Sequence, residues 1–333
     1  MKRLTSMCAL VVWTSVLAGT GCRKADDDAY RAGIPTREAV SLHVAGAPAD
    51  GTNGAVGALL GEKAGTYEVT RAVTAVVNGG TWAVLTLVRT VVSFPATTVG
   101  TDSAVWGPYH DALSLDTWRL TVTRVQPHVF QWVFEGKDKS LGDDAYLTII
   151  SGTHTAALDQ MGNPMEGFGN GDFTIDWNKA AMLPQHDDNV GVAAFTYSRL
   201  TADATVTIDV DFTGIQDATT KEIFDAKYRY TSTPGQGGTL RYAEDKDNVP
   251  GPGPTGTAKE HFTIESRWTE DGVGRCDLED SGGDLGATVA HGSECWDDRF
   301  DSVYRALDYP DPMGNWGAES ACTAFPAAEY SNL

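Results

Sequence analysis

From Trp118 to Trp268 the chain alternates apolar and polar residues with a period of two. Trp118, Leu120 and Val122 fall on one side, with Arg119, Thr121 and Thr123 on the other. Phe130, Trp132 and Phe134 repeat the pattern, as do Phe173, Ile175 and Trp177. Phe195 with Tyr197, the series Val206, Ile208, Val210 and Phe212, the pair Tyr228 and Tyr230, and finally Phe262, Ile264 and Trp268 continue it. Such alternation gives a strand one buried and one wet face, the mark of antiparallel sheet. Turn-forming stretches punctuate the runs: EGKDKSLGDD, GNPMEGFGNGD, LPQHDDN and PGQGG. The longest interruption, EDKDNVPGPGPTGT at 244–257, reads as a solvent loop, and strands resume directly after it.

Residues 66–94 carry a different period. Asn78, Gly79 and Gly80 between two Val-rich runs resemble a hairpin turn. Against a hairpin, Val69, Ala72, Val73, Val76 and Val77 form a helical stripe, with Thr70, Thr74 and Asn78 on the opposite face. In the second run Thr86, Arg89, Thr90 and Ser93 recur every three or four residues, and Pro95 supplies a stop. The spacing therefore predicts a pair of helices broken near the glycines. The fold expected is mainly β: an antiparallel meander of eight or more strands curved into an open or closed barrel. One or two N-terminal helices pack on or inside it, and a two-sheet sandwich is the alternative.

The N-terminus carries an address. Lys2 and Arg3 precede a mostly apolar run from Met7 to Ala18, long enough for a signal peptide core and short of the ~20 residues that span a bilayer. Ala18, Gly19, Thr20 and Gly21 then lead into Cys22. This segment resembles the precursors of bacterial lipoproteins, whose cysteine is acylated and becomes the first residue after cleavage; Gly19 stands where that pattern prefers an aliphatic residue. The resemblance covers residues 1–22 only. It implies a signal peptide at 1–21, lipidation at Cys22 and attachment to a membrane through acyl chains, each buried CH₂ contributing about 0.8 kcal/mol. Arg23, in place of an aspartate directly after the cysteine, implies the outer rather than the inner membrane of a bacterial cell envelope. Residues 22–62, rich in Ala, Gly, Asp and Pro, read as a flexible tether, and residues 63–333 as a single mainly-β domain.

Charge narrows the partners. The formal net charge is −20 at pH 7, and removal of residues 1–21 takes away Lys2 and Arg3 without any acid. Such a surface repels phosphate backbones, which argues against nucleic acid as a partner. Of the five cysteines, Cys276, Cys295 and Cys322 lie near the C-terminus, in a compartment oxidising enough for disulfides. The favoured pair is Cys276 with Cys295, which closes a short loop; Cys322 is the alternative partner of Cys295. Within RCDLEDSGGDLG, residues 275–286, the carboxylates Asp277, Glu279, Asp280 and Asp284 around two glycines offer hard oxygen ligands of the kind Ca²⁺ takes. The EF-hand pattern fails there, because its twelfth position is Thr288. The competing reading is an acidic hairpin tip beside a disulfide. In SECWDDRF, residues 293–300, Trp296 and Phe300 are expected to pack against that disulfide.

No other motif carries chemistry. The seven histidines, His43, His110, His128, His154, His186, His261 and His291, are spread singly, and neither HExxH nor GxSxG occurs. GFGNGD at 167–172 precedes a strand where a dinucleotide fingerprint needs a helix. No cofactor is expected beyond the weak Ca²⁺ candidate. Three functional readings follow: a non-enzymatic structural or interaction module that meets an envelope protein, a carrier holding a lipid or other apolar ligand in a barrel cavity, and a hydrolase with an unrecognised site. A concave side packed full, with residues 66–94 against Trp132, Ile175 and Ile208, counts against the carrier.

Overall fold

The computed structural model describes residues 24–36, 38–40, 43–46, 60–110, 112–217, 220–247, 258–308 and 314–333. Cys22 and the signal segment lie outside the described residues. Among the described residues two α-helices precede the sheet, α1 (Lys24–Arg31) and α2 (Gly65–Ser93). The strands follow in order: β1 (Thr98–Val99), β2 (Ser103–Tyr109), β3 (Asp116–Gln126), β4 (Val129–Asp138), β5 (Leu147–Leu158), β6 (Pro164–Asp176), β7 (Val192–Arg199) and β8 (Val206–Gln216). Then come β9 (Ile223–Thr233), β10 (Gly237–Lys246), β11 (Glu260–Trp268), β12 (Gly274–Gly282), β13 (Gly286–Trp296), β14 (Ser302–Leu307) and β15 (Trp316–Gly317). A one-turn helix, α3 (Trp177–Ala180), sits between β6 and β7.

All fifteen strands form one antiparallel sheet whose spatial order is the chain order. Among the described residues β1 pairs with β2 alone and β15 with β14 alone, so the meander is open. Both edge strands are two residues long, which leaves little backbone for another chain to pair with. One register row runs through thirteen strands: Ala104, Val122, Trp132, Gly152, Phe173, Phe195, Val210, Tyr228, Tyr242, Ile264, Leu278, Gly292 and Leu307. Period-two alternation places this whole row on one face, the inner one. Phe173 stacks on Phe195 at 4.4 Å between ring centres and tilts against Trp132 at 5.9 Å. Gly152 makes that close approach feasible, since a Cβ there would collide with the Asp172 carbonyl and the Phe173 side chain. Burial of rings such as Phe134 and Phe173 stabilises the fold by roughly 1.5–3 kcal/mol each.

The sheet bends around α2. Eleven strand spacings of about 4.8 Å would separate β2 from β13 by about 53 Å in a flat sheet. The helix reaches from Thr66, bonded to Glu294 of β13, to Phe94, whose carbonyl accepts from Trp106 Nε1 of β2, a span of about 42 Å. Thr70 Oγ1 meets Ser266 Oγ of β11 at 2.6 Å, and Thr74 Oγ1 meets the Tyr228 hydroxyl of β9 at 3.4 Å. Val77, Leu85, Val88 and Val92 join Trp132, Ile175 and Ile208 in one buried cluster.

Three expectations are corrected here. Residues 66–94 are one continuous helix through Gly79 and Gly80, not a broken pair; enclosure by the sheet outweighs the ~1 kcal/mol that each glycine costs in a helix interior. The supposed polar face is buried, with Thr70, Thr74 and Asn78 at 0%, 4% and 7% exposure. The Thr70 hydroxyl donates to the Thr66 carbonyl at 2.8 Å, one turn back along the helix, and the Thr74 hydroxyl meets Tyr228 of the sheet. Much of the supposed tether is also part of the fold: Tyr30, Ile34, Ala39, Val40 and Val44 belong to the core, and the Tyr230 hydroxyl bonds both backbone groups of His43.

The disulfide joins Cys295 to Cys322, with Cα atoms 5.6 Å apart, and Cys276 is a free buried thiol. The favoured pairing of Cys276 with Cys295 fails on strand phase. Cys295 faces Arg275 across the β12–β13 ladder, whereas Cys276 faces Glu294, so the two sulfurs project from opposite sides of the sheet. For the same reason Trp296 does not pack on the disulfide. It lies on the inner face against Tyr67 at 5.7 Å, where Phe300 stacks on Tyr67 at 4.5 Å.

Candidate functional site

The acidic stretch 275–286 is a strand followed by a short turn, and alternation distributes its carboxylates. Asp277 points outward and is fully buried under the C-terminal tail. Its oxygens accept from Arg275 Nε at 2.8 Å, Arg267 Nη2 at 2.9 Å, Ser293 Oγ at 2.6 Å and the Glu329 backbone N–H at 3.0 Å. Arg275 also donates to Glu319 and to the Phe325 and Pro326 carbonyls, and Arg267 to the Ala327 carbonyl. A carboxylate with four donors has no lone pair left for a metal. Glu279 pairs instead with His291 at 3.2 Å, Asp280 faces the opposite side of the sheet, and Asp284 accepts from the Ala258 N–H at 3.3 Å. The four proposed Ca²⁺ ligands therefore do not converge, and among the described residues no group of three or more His, Cys, Asp or Glu side chains could hold a metal ion.

What this region does build is a cavity of about 250 Å³ on the inner face, between the N-terminus of α2 and strands β11–β14. Phe262, Leu278, Leu285, Ala290 and Leu307 supply apolar walls; Thr66, Asp280, Ser293, Glu294 and Arg305 also line it. Glu294, 1% exposed, accepts from both the backbone N–H and the hydroxyl of Thr66 at 2.8 Å through Oε2. A carboxylate there satisfies an orphan helix donor and favours the positive end of the helix dipole. Its Oε1 is buried without a hydrogen-bond partner, as is Oδ1 of Asp280. Burial and the neighbouring Glu260 carboxylate push Asp280 up to about 6. Arg305, on the β14 position opposite Glu294, donates to the Gly314 carbonyl at 2.6 Å and stacks over Trp316 at 5.0 Å. On the same row Cys276 lies between Ser266 and Glu294, and burial pushes its thiol up to about 12, which keeps it unreactive.

A second polar pair sits deep in the core. His154 Nδ1 lies 2.7 Å from the Tyr197 hydroxyl, with both residues nearly fully buried. Burial, reinforced by the charge of Arg89, holds His154 down to about 4, so the ring is neutral at pH 7. Out of reach of solvent, the pair reads as a satisfied core hydrogen bond.

Sequence reasoning named Asp280 but missed Glu294, Arg305 and Thr66. The available signal was a lone acid two residues before Trp296 on an inward phase. What it lacked was the 228-residue pairing that sets Thr66 beside Glu294. No family description matches the chain, and no curated protein or solved structure matches it either.

Proposed function

We propose that the chain is a cell-envelope lipoprotein, anchored through an acylated Cys22 and carried by the outer membrane, whose β-domain is a non-enzymatic structural or interaction module. The observation that carries the second half is the filled inner face. Helix α2, with Tyr30, Ile34, Ala39, Val40 and Val44, occupies the concavity in which a half-barrel carrier would hold an acyl chain. The first half rests on the residues around Cys22, and no described helix is long and apolar enough to cross a membrane. Replacing Cys22 by serine should move the protein from the membrane to the soluble fraction, and mass spectrometry of the membrane-purified protein should find no stoichiometric lipid besides the anchor. Unchanged fractionation refutes the anchor, and a co-purifying lipid refutes the module reading in favour of a carrier. The cavity beside Glu294 favours that second reading in part, but its 250 Å³ is below the roughly 300–1,000 Å³ of ordinary ligand pockets.

A further inference from the structure

We infer that the end of the sheet where α1 docks rests on the phospholipid surface, with the β3–β4, β5–β6 and β7–β8 turns dipping apolar side chains into it. The inference rests on the anchor proposed above and adds a fixed orientation to it. Lys24, the first residue of α1, is two positions after Cys22, no more than about 7 Å of extended chain. Nor does α1 swing free. The Tyr30 hydroxyl donates to the Thr101 carbonyl at 2.9 Å, the Asp27 carboxylate accepts from the Ala96 N–H at 2.8 Å, and Arg31 donates to the Phe94 carbonyl at 3.0 Å. An acyl group on Cys22 therefore holds this end of the domain against the bilayer, without a tether's length between them.

Hairpin connections of a meander alternate between its two ends. The β1–β2 turn bound by Tyr30 thus shares its end with the β3–β4, β5–β6 and β7–β8 turns. At or beside each of these three an apolar side chain is exposed: Val125 at 50%, Met161 at 83% with Leu158 at 44%, and Leu200 at 47%. The β5–β6 turn projects Met161 by its own hydrogen bonds. Asp159 Oδ1 accepts from the Met161 and Asn163 N–H groups at 2.8 Å, which folds the carboxylate back onto the loop and leaves the methionine at the tip. The first of the three turns is four strand spacings from the last, about 19 Å, so the tips belong to one patch. The other end also exposes Leu113 and Met182, at 90% and 68%. There, however, exposed Asp143, Asp144, Asp187 and Asp188 crowd the β4–β5 and β6–β7 turns, whereas the three turns on the α1 side carry only Asp159 and Asp203. Anionic headgroups repel the more acidic end.

Fluorescence quenching in vesicles tests the orientation. The acylated full chain with Met161→Cys, Leu200→Cys or Met182→Cys is labelled with a thiol-reactive NBD dye. Cys276 is buried and Cys295 is bonded to Cys322, so the dye goes to the introduced thiol. Each protein is reconstituted into phosphatidylethanolamine and phosphatidylglycerol vesicles that contain a lipid spin-labelled near the headgroup end of its chains. With the tips about 5–10 Å into the headgroup boundary, the labels at 161 and 200 should each lose at least about half their fluorescence, and the label at 182 almost none. The two near-end positions lie in separate turns, so a local disturbance at one does not decide the result. Any other pattern in protein that floats with the vesicles overturns the orientation and leaves the anchor standing. Protein that mass spectrometry shows to lack acyl chains overturns the anchor and the orientation together.

Discussion

Asp277 holds the C-terminal tail to the outer face, and its removal has a calculable cost. In Asp277→Ala the guanidinium groups of Arg267 and Arg275, 8% and 1% exposed, lose their shared counter-charge, and the Ser293 hydroxyl and Glu329 N–H lose an acceptor. Removing one partner of a buried ion pair costs about 3–5 kcal/mol, because the surviving charge stays desolvated. Partially compensating acceptors remain, Glu319 and the Phe325 and Pro326 carbonyls for Arg275 and Glu329 and the Ala327 carbonyl for Arg267, which sets the expectation near about 4 kcal/mol. That is a drop of nearly a thousandfold in the folded-to-unfolded ratio, a large part of the ~5–15 kcal/mol available to a domain. Equilibrium urea unfolding followed by tryptophan fluorescence measures it, with Asp277→Asn as the variant that keeps an acceptor while losing the charge. An alanine variant within about 1 kcal/mol of wild type would refute the reasoning, since it would mean that both arginines reach water by lifting the tail at little cost.

Four further outcomes follow from the geometry. Cys322→Ser opens a link between residues 27 apart in sequence and should lower stability by about 3.5 kcal/mol under oxidising conditions; if the loss persists in full against a reduced wild type, loop closure is the wrong account. Gly152→Val should abolish soluble expression or cost at least about 3 kcal/mol, because the added side chain collides with β6, and a well-folded variant would contradict the register. His154 titrates near 6.5 when unfolded and about 4 when folded, so between these values the unfolded chain binds the extra proton. Stability should therefore fall by up to about 3 kcal/mol as pH drops through that window, and His154→Gln should flatten this limb in urea titrations run from pH 7 to 4. Asp280 has the opposite sign: its raised value means that stability falls as pH rises from 3.8 to about 6, so Asp280→Asn should unfold at higher urea than wild type at pH 7, and an equal or lower midpoint counts against the burial and charge repulsion assigned to it.

The strands were legible because one face of each is buried, so alternation survives in residues such as Leu120, Val122, Phe173 and Ile175 without any knowledge of partners. Helix α2 was legible by its period, but not by its environment. Thr70 and Thr74 look solvent-facing until the sheet wraps them, and a polar residue that bonds its own backbone gives no outward sign of burial. The disulfide turned on phase: Cys276 and Cys295 are near neighbours across a ladder and still point apart, which only the register discloses. The cavity was illegible for the same reason, being made where Thr66 meets strands more than two hundred residues away.

The pairing of Thr66 with Glu294 also imposes an order of events. At about 5–20 residues per second, the 228 residues between them take roughly 10 to 45 s to be made. Each hairpin of the meander can zip to its predecessor as it emerges, but the helix that all of them enclose is finished first and fully seated last. The C-terminal half of the helix can lie against β4, β6 and β8 as soon as those strands pair, whereas its first turn, at Thr66, waits for β13 and Glu294 before it is capped.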